Sequence, residues 1–397
     1  MTTTAEERPA GLESAAGGNP RFPCIEGLRA VAAVAVLIHH VAGTTGAVTS
    51  TAWGWIFAHL DAGVSVFFVL SGFLLYRPFA AAHVDGRPGP GLRRYTSRRF
   101  LRIFPAYWLA LTAVFFVLNT VEYGDGRSLA MYYGLVHIYS KAHVLGGIIP
   151  AWSLATELSF YVFLPVYALV LGRLARRAKA PLVVEAVGVG LLWVTGITVH
   201  SLLLATHDAA TPATLWLPSQ VDLFALGMLL AVAHVAAERG RPVRVLQAAG
   251  RWPGWTWALA GIPFWVACTQ LHLPREFADI PKGGEIGRQV CYGLTALLLV
   301  TPAVFGDQSK GWPRRFLRLR PVAFLGLVSY GIFLWHFDLL HFFQQHGALD
   351  WVPQAPFFSA LVLTLASATV IAWLSWVLVE APLVGRRRRV VANPHLP

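Results

Sequence analysis

Residues 22–41 of the chain read FPCIEGLRAVAAVAVLIHHV, and this stretch decides the fold class. Its apolar residues run without interruption from Ala30 to Ile38. Extended to residues 27–44, the stretch approaches the roughly 20 residues that a helix needs to cross about 30 Å of hydrocarbon. Two histidines interrupt the apolar run, and the residues after Gly43 do not resemble a soluble mature protein. We therefore interpret the stretch as a retained transmembrane helix rather than a cleaved signal peptide.

The same apolar character extends along the whole chain. Of the 397 residues, 56% are hydrophobic and 13% are charged, and the mean hydropathy is +0.55. Soluble domains carry roughly 25% charged residues, so this composition excludes a disordered protein, a coiled coil and an ordinary cytosolic enzyme. The long unbroken apolar runs exclude an outer-membrane barrel, whose strands alternate at every second residue. The sequence predicts an all-α polytopic membrane protein.

Ten stretches are long and apolar enough to span a bilayer as a bundle of about ten helices. They are residues 27–44, 62–79, 100–120, 151–172, 181–204, 219–237, 254–271, 288–305, 321–344 and 356–379. The loops on one side of the bundle hold 27 Lys and Arg residues and those on the other side hold 5. By the positive-inside rule, both termini are expected in the cytoplasm and the protein in the inner membrane. Topology thus accounts for the net charge of +12, and no nucleic acid partner is expected.

The chain is predicted to consist of one membrane unit with two short tails. Residues 1–22 are interpreted as a disordered cytoplasmic tail, residues 23–385 as the membrane-embedded domain and residues 386–397 as a basic cytoplasmic tail. The polar segment 121–150 is either a connector or a lid over a site. The three cysteines are far apart and match neither a disulfide framework nor a zinc pattern, so no metal site is expected.

The first helix carries two candidate functional residues, Arg29 and His40. They lie eleven positions apart, which brings them to within about 20° of a common helix face and separates them by about 16 Å along the axis. Ionisable groups inside a membrane are costly and are therefore functional candidates. A shared groove that joins the guanidinium to the imidazole is predicted. The structural alternatives are a cytoplasmic anchor for Arg29 and a backbone-bonded ring for His40.

The third helix begins with a second group of basic residues, RRYTSRRFLR. Arg99 and Arg102 are three residues apart and share one helix face at the cytoplasmic boundary. Guanidinium groups favour bidentate contact with phosphates, so a cytoplasmic ligand with several phosphates fits this patch. Anionic lipid head groups are the alternative ligands.

Polar side chains also interrupt four further spans. In AWSLATELSFY, Glu157 lies about one turn inside the outer boundary. The other candidates are Ser71, Trp152, Ser153, Asp222 and His336. Each alone is explained as a hydrogen-bonded structural group. Together in one bundle they predict a polar cavity in which His, Glu and Asp side chains move protons.

Five of these segments, in this order, resemble the acyltransferase-3 family of integral membrane O-acyltransferases. That family includes bacterial surface-glycan acetylases and macrolide acyltransferases. The segments are IEGLRAVAAVAVLIHH, FFVLSGFLL, RRFLR, WSLATELSFY and SYGIFLWH, and the likeness extends from about residue 21 to 384. The resemblance implies a ten-helix core, an acyl-CoA donor (acetyl-CoA in the first place) and transfer to a hydroxyl of a glycan or macrolide acceptor.

The resemblance also implies roles for particular residues. Arg29 and His40 would be essential, supported by Ser71, Glu157 and the arginine pair of the third helix. We expect the arginines to hold the donor phosphates and His40 to act as general base toward the acceptor hydroxyl. A covalent acyl-imidazole stays open as an alternative. A transporter or flippase for an amphipathic solute, and a non-catalytic scaffold, are the alternative functions.

Overall fold

The described part of the chain is helical throughout. The computed structural model describes residues 22–207, 211–275, 282–351 and 355–383. Within these ranges the regular secondary structure is entirely helical, and ten helices contain 17 residues or more. They are α1 (Ile25–Thr44), α2 (Gly63–Val84), α3 (Leu92–Ala113), α4 (Ala151–Arg177), α5 (Pro181–Thr206), α6 (Leu217–Glu238), α7 (Pro253–Thr269), α8 (Lys282–Val304), α9 (Ser329–Gln345) and α10 (Pro356–Ser375).

Shorter helical segments connect and extend these ten. The α-helical ones are Ala47–Ser50, Gly54–Phe57, Gly126–Tyr133, Arg244–Arg251, Trp312–Leu317 and Arg320–Leu327. Turns of 3₁₀ helix are found at Leu60–Ala62, His137–Tyr139, Pro212–Leu215 and Ala348–Trp351. Turns of π-helix end α3 at Val114–Leu118 and α10 at Trp376–Glu380.

The helices have the length and apolarity of a multi-pass membrane protein. In the described part of the chain, seven helical stretches are long and apolar enough to cross a bilayer. The bent pair Arg320–Leu327 and Ser329–Gln345 makes an eighth if it forms one crossing. The predicted fold class is therefore confirmed. Ten crossings and cytoplasmic termini stay predictions. Residues 1–21 and 386–397 of the predicted tails, and the last two residues of the predicted membrane domain, lie outside the described residues.

The predicted span 321–344 is a broken helix rather than a straight one. The axes of its two parts, Arg320–Leu327 and Ser329–Gln345, differ by 73°. Ser329 donates its hydroxyl hydrogen to the carbonyl oxygen of Gly326 at 2.8 Å, next to the break. Gly326 itself packs directly against the backbone of Glu26 in α1, where a side chain would not fit. Packing against α1 thus fixes a bend that the hydropathy of the segment does not reveal.

The centre of the bundle is the contact of α2 with α6. The backbones of α2 and α6 approach each other closely at Gly72 and Gly227, as small residues allow in membrane proteins. A methyl group on Gly227 would overlap the carbonyl oxygen of Val69, and one on Gly72 would overlap that of Phe224. Phe224 of α6 also stacks on Phe160 of α4 with ring centroids 4.2 Å apart. The three helices are therefore held in fixed register beside the site described below.

This close contact gives a prediction about stability. We expect Gly227→Val to lower the free energy of unfolding by about 1–3 kcal/mol, because the added side chain forces the two backbones apart. The measurement is thermal unfolding of the purified protein in detergent. Gly261→Val in α7 is the matched control, since a side chain there meets open space. Equal melting temperatures for the two variants would contradict the assigned contact.

Candidate functional site

A narrow cavity brings together most of the residues that the sequence singled out. We call it the arginine cavity. Its volume is about 70 Å³, and one water molecule needs about 10–15 Å³ of such space, so the cavity admits only a few water molecules or a thin ligand. The predicted site residues that line it are Arg29, Ser71, Arg99, Arg102, Ser153 and Glu157. They come from four helices, α1 to α4, and the N-terminal part of α9 completes the wall.

Glu157 is held in the wall of the arginine cavity by two hydroxyl groups. Ser71 donates a hydrogen bond to its Oε1 atom, and Tyr161 donates to the same oxygen at 2.7 Å. Tyr161 lies one helical turn after Glu157 on α4, so both side chains point the same way. The Tyr161 ring also lies under the guanidinium of Arg99, with 5.6 Å from Cζ to the ring centroid. The carboxylate and the arginine are thus positioned by one tyrosine.

The charged residues that line the arginine cavity are three arginines and one glutamate, a net charge of +2 when all are ionised. Arg29 also lies 3.8 Å from Glu26, and Glu380 is within electrostatic range of Arg29 and Arg102. The Nε atom of Arg99 is buried and has no hydrogen-bond partner among the described residues. A buried donor without a partner is uncommon, and an anionic ligand would supply the missing acceptor.

His40 belongs to a chain of hydrogen bonds between α1 and α9. His336 is buried, and its Nδ1 atom lies 3.0 Å from the carbonyl oxygen of Ile332. Because a carbonyl only accepts, neutral His336 carries its proton on Nδ1 and presents a lone pair at Nε2. That Nε2 atom is 2.9 Å from Nδ1 of His40, which must therefore be the donor. Nε2 of His40 then carries the lone pair and has no hydrogen-bond partner among the residues that the structure describes, as a base requires.

The structure does not place Arg29 and His40 in a single groove. Neither His40 nor His336 is among the described residues that line the arginine cavity, and Phe333 is a neighbour of both the cavity and His336. The side chain of Phe333 lines the cavity. Its ring centroid lies 5.9 Å from that of His336 and 6.1 Å from that of Phe67. Arg29 and His40 both lie on α1, but of the two only Arg29 lines the arginine cavity. The histidine pair therefore lies outside the lining of the cavity and adjoins it through Phe333.

Two further candidates, Trp152 and Asp222, belong to a second and larger cavity. We call it the outer cavity; its volume is about 370 Å³. Trp152 lines it, and Asp222 supports its wall by accepting a hydrogen bond from Nε2 of Gln289 at 3.1 Å. Besides Trp152, the polar residues that line it are Asp61, Ser65, His200, Thr211, Thr214, Gln220, Glu285, Arg288, Gln289 and Tyr292. Val144 and Leu145 of the polar segment 121–150 line this cavity as well.

Sequence reasoning missed Tyr161, Tyr330 and the outer cavity. A signal was present for Tyr161, which follows Glu157 at the helical spacing of four in a segment already singled out. Tyr330 lines the arginine cavity and donates its hydroxyl hydrogen to the carbonyl oxygen of Ile103 at 2.8 Å. The outer cavity gave no local signal, because its polar residues are contributed by separate helices and loops.

The chain is similar to known proteins along most of its length. The family model of the acyltransferase-3 group, described as an acyltransferase domain, matches residues 22–377. The chain is 26% identical to the peptidoglycan O-acetyltransferase OatA of Listeria monocytogenes, over 91% of this chain and 55% of the relative. It is 26% identical to the putative peptidoglycan O-acetyltransferase YrhL of Bacillus subtilis, again over 91% of this chain and 55% of the relative.

A third relative matches over nearly its full length. The acyltransferase MdmB of Streptomyces mycarofaciens is 26% identical, over 94% of this chain and 95% of the relative. The chain thus spans about half the length of the two peptidoglycan O-acetyltransferase relatives and nearly all of MdmB. No solved structure matches the chain.

Proposed function

Since the chain belongs to the acyltransferase-3 family and is a membrane acyltransferase of non-aminoacyl groups, we propose that it transfers an acyl group from acyl-CoA to a sugar hydroxyl. The acceptor is a carbohydrate or a glycosylated compound such as a macrolide. One observation carries the proposal: Arg29 and the pair Arg99 and Arg102, about 70 residues apart in the chain, line the same narrow cavity beside Glu157.

The arginines of the cavity suit the phosphates of acyl-CoA, and its narrow interior suits the pantetheine arm. Guanidinium forks match phosphate oxygens, and Arg102 is exposed at the rim, where a nucleotide too large for the cavity would stay. A pantetheine arm is thin enough to extend into a space of about 70 Å³. The thioester then reaches His40 past the ring of Phe333, which turns aside. On the predicted topology this rim faces the cytoplasm of a cell with the protein in its inner membrane.

The free lone pair of His40 supplies the base. Nε2 takes the proton from the acceptor hydroxyl while the hydroxyl oxygen attacks the thioester carbonyl. A carbon–oxygen bond forms, the carbon–sulfur bond breaks, and the proton passes from His40 to the departing CoA sulfur. Glu157 helps to orient the acceptor or to relay its proton. Attack by Nε2 itself, which gives an acyl-imidazole, would use the same lone pair.

The test is acyl transfer by the purified protein in lipid nanodiscs. Acetyl-CoA labelled in the acetyl group is supplied with neutral oligosaccharides and glycosylated macrolides as acceptors. We expect labelled ester in one acceptor and an equal amount of free CoA. Uptake of solute into vesicles without release of CoA would instead support the transporter alternative.

The histidine pair gives a prediction about positioning. We expect His336→Phe to lower kcat by about 10–100-fold without changing KM for acyl-CoA, because the Nδ1 hydrogen of His40 loses its acceptor and the ring loses its orientation. His336→Gln keeps an acceptor oxygen at a similar reach and is expected to recover part of the activity. A purely structural role for His336 would lower the melting temperature of both variants without this difference in kcat.

A further inference from the structure

The outer cavity has the dimensions of a ligand site. Its volume of about 370 Å³ falls within the range of roughly 300–1,000 Å³ that is usual for small-molecule sites. Along α2 and α4 it lies N-terminal to the arginine cavity, and α5, α6 and α8 complete its wall. Phe68 lines the arginine cavity and Trp152 lines the outer cavity, and their rings meet edge-on with centroids 6.4 Å apart. The two cavities are therefore neighbours, with one lining ring of each in contact with the other.

Two buried polar atoms in the wall of the outer cavity lack partners. The side chain of His200 is 1% exposed; its Nδ1 atom lies 2.8 Å from Ser219 Oγ, while its Nε2 atom has no partner among the described residues. The side chain of Glu285 is 8% exposed; its Oε1 atom accepts from Arg288 at 2.6 Å, while Oε2 is likewise unpartnered within the described ranges. Buried polar groups in native proteins are normally paired, so both atoms indicate a ligand that donates and accepts hydrogen bonds.

The charge of the wall selects among such ligands. Asp61 and Glu285 are acidic and Arg288 is basic, which leaves a net charge of −1 with His200 neutral. Arg288 is already engaged by Glu285, and it lies 3.4 Å from Asp61. No cation of this wall is therefore left for an anionic ligand, and the net charge opposes one. Neutral hydroxyl groups suit the cavity better, because a carboxylate accepts from them strongly.

Aromatic rings add an apolar surface to this polar wall. Trp152 and Tyr292 both line the outer cavity, and Tyr292 is fixed by donating its hydroxyl hydrogen to Asp61 at 2.7 Å. A sugar ring presents C–H groups on its faces and hydroxyl groups at its edge, and the wall offers a counterpart to each. The mixture of ring surfaces with a few fixed polar groups is typical of specific small-molecule sites.

We propose that the outer cavity binds a neutral, hydroxyl-rich sugar ring, with Glu285 and His200 as its hydrogen-bonding partners. The further step, that this sugar is the acceptor of acyl transfer, rests on the proposed function. Aromatic contacts lie at both ends of the space between the cavity and the base: Tyr292 contacts His59 with ring centroids 6.4 Å apart, and His39 contacts His40 with ring centroids 5.2 Å apart.

Binding is tested without any acyl donor. The probes are a tritiated N-acetylglucosamine trimer, maltotriose and the anionic glucose 6-phosphate, each dialysed to equilibrium against the protein in nanodiscs. We expect saturable binding of at least one neutral trisaccharide and weaker binding of glucose 6-phosphate. Glu285→Gln is expected to lower the affinity for the neutral sugar about tenfold or more, because loss of a hydrogen bond to a charged group has an effect of that size.

A second variant keeps the test decisive if Glu285→Gln disturbs folding. Leu145 lines the outer cavity from a loop and is 67% exposed, so Leu145→Trp narrows the cavity without altering the core. Leu191→Trp on α5, where Leu191 is 62% exposed, is the matched control. We expect Leu145→Trp to abolish sugar binding and Leu191→Trp to preserve it.

The outcomes separate the site from the function. The sugar site is overturned if neither neutral trisaccharide binds saturably, or if Leu145→Trp binds the neutral sugar with unchanged affinity. Sugar binding without any acyl transfer from acyl-CoA keeps the site and overturns the proposed function. Acyl transfer to a sugar with an unchanged acceptor KM in both Leu145→Trp and Glu285→Gln keeps the function and overturns the site.

Discussion

Replacing His40 with alanine is expected to lower kcat for acyl transfer by about 10²–10⁴-fold, the usual contribution of a positioned general base. The reason is the hydrogen-bond chain from Ile332 through His336, which leaves Nε2 of His40 as the free lone pair. The affinity for acyl-CoA should stay unchanged, because the arginines that would hold it line the arginine cavity and His40 does not. Single-turnover transfer of labelled acetyl groups and equilibrium binding of acetyl-CoA measure the two quantities separately.

The control for this variant is another histidine of the same helix pair. His341→Ala removes an exposed histidine that lies further along α9 than His336, and it should transfer acetyl groups at the wild-type rate. Transfer at the wild-type rate by His40→Ala would refute the proposed mechanism. Loss of acetyl-CoA binding in His40→Ala would show instead that the imidazole holds the donor.

The second large effect is expected at the rim of the arginine cavity. Replacing Arg99 and Arg102 together with alanine should raise KM for acyl-CoA by about 10²–10⁴-fold, since each charge-assisted hydrogen bond contributes about 1.5–3 kcal/mol. The double lysine variant keeps both charges but loses the planar fork, so its KM should lie between those of the wild type and the alanine variant. The measurement is initial rate against acetyl-CoA concentration, with acceptor fixed.

The same helix provides the control. Arg93 and Arg94 are exposed near the start of α3 and do not line the cavity. Alanine at both positions should leave KM for acyl-CoA unchanged. The Arg93/Arg94 and Arg99/Arg102 double alanine variants could instead raise KM for acyl-CoA equally, and only in bilayers with anionic lipid. In that case the arginines bind lipid head groups and the donor site lies elsewhere.

Much of the fold is predictable from the sequence because burial in lipid demands long apolar helices. Each of the ten predicted spans overlaps one of the ten long helices, with α9 beginning eight residues later than predicted. The bend at Val328 was missed because the apolar run is continuous there. It depends on Gly326 fitting against Glu26, a contact between residues 300 positions apart.

The candidate site was predictable where one helix carries it. The spacing of Arg99 and Arg102 places both on one face, and both line the arginine cavity. That Arg29 lines this cavity and His40 does not depends on how α9 packs beside α1, which leaves no trace in the periodicity of α1. The outer cavity was missed for the same reason, since residues such as Asp61, His200 and Glu285 each look isolated until the helices pack.

The edge-on contact of Phe68 with Trp152 bears on the electrical insulation of the membrane. An open aqueous tube joining the two cavities would let protons and small ions flow down their gradients and would drain the energy stored across the bilayer. Two large apolar rings packed edge-on exclude water from the space between them, so this contact works against such a tube.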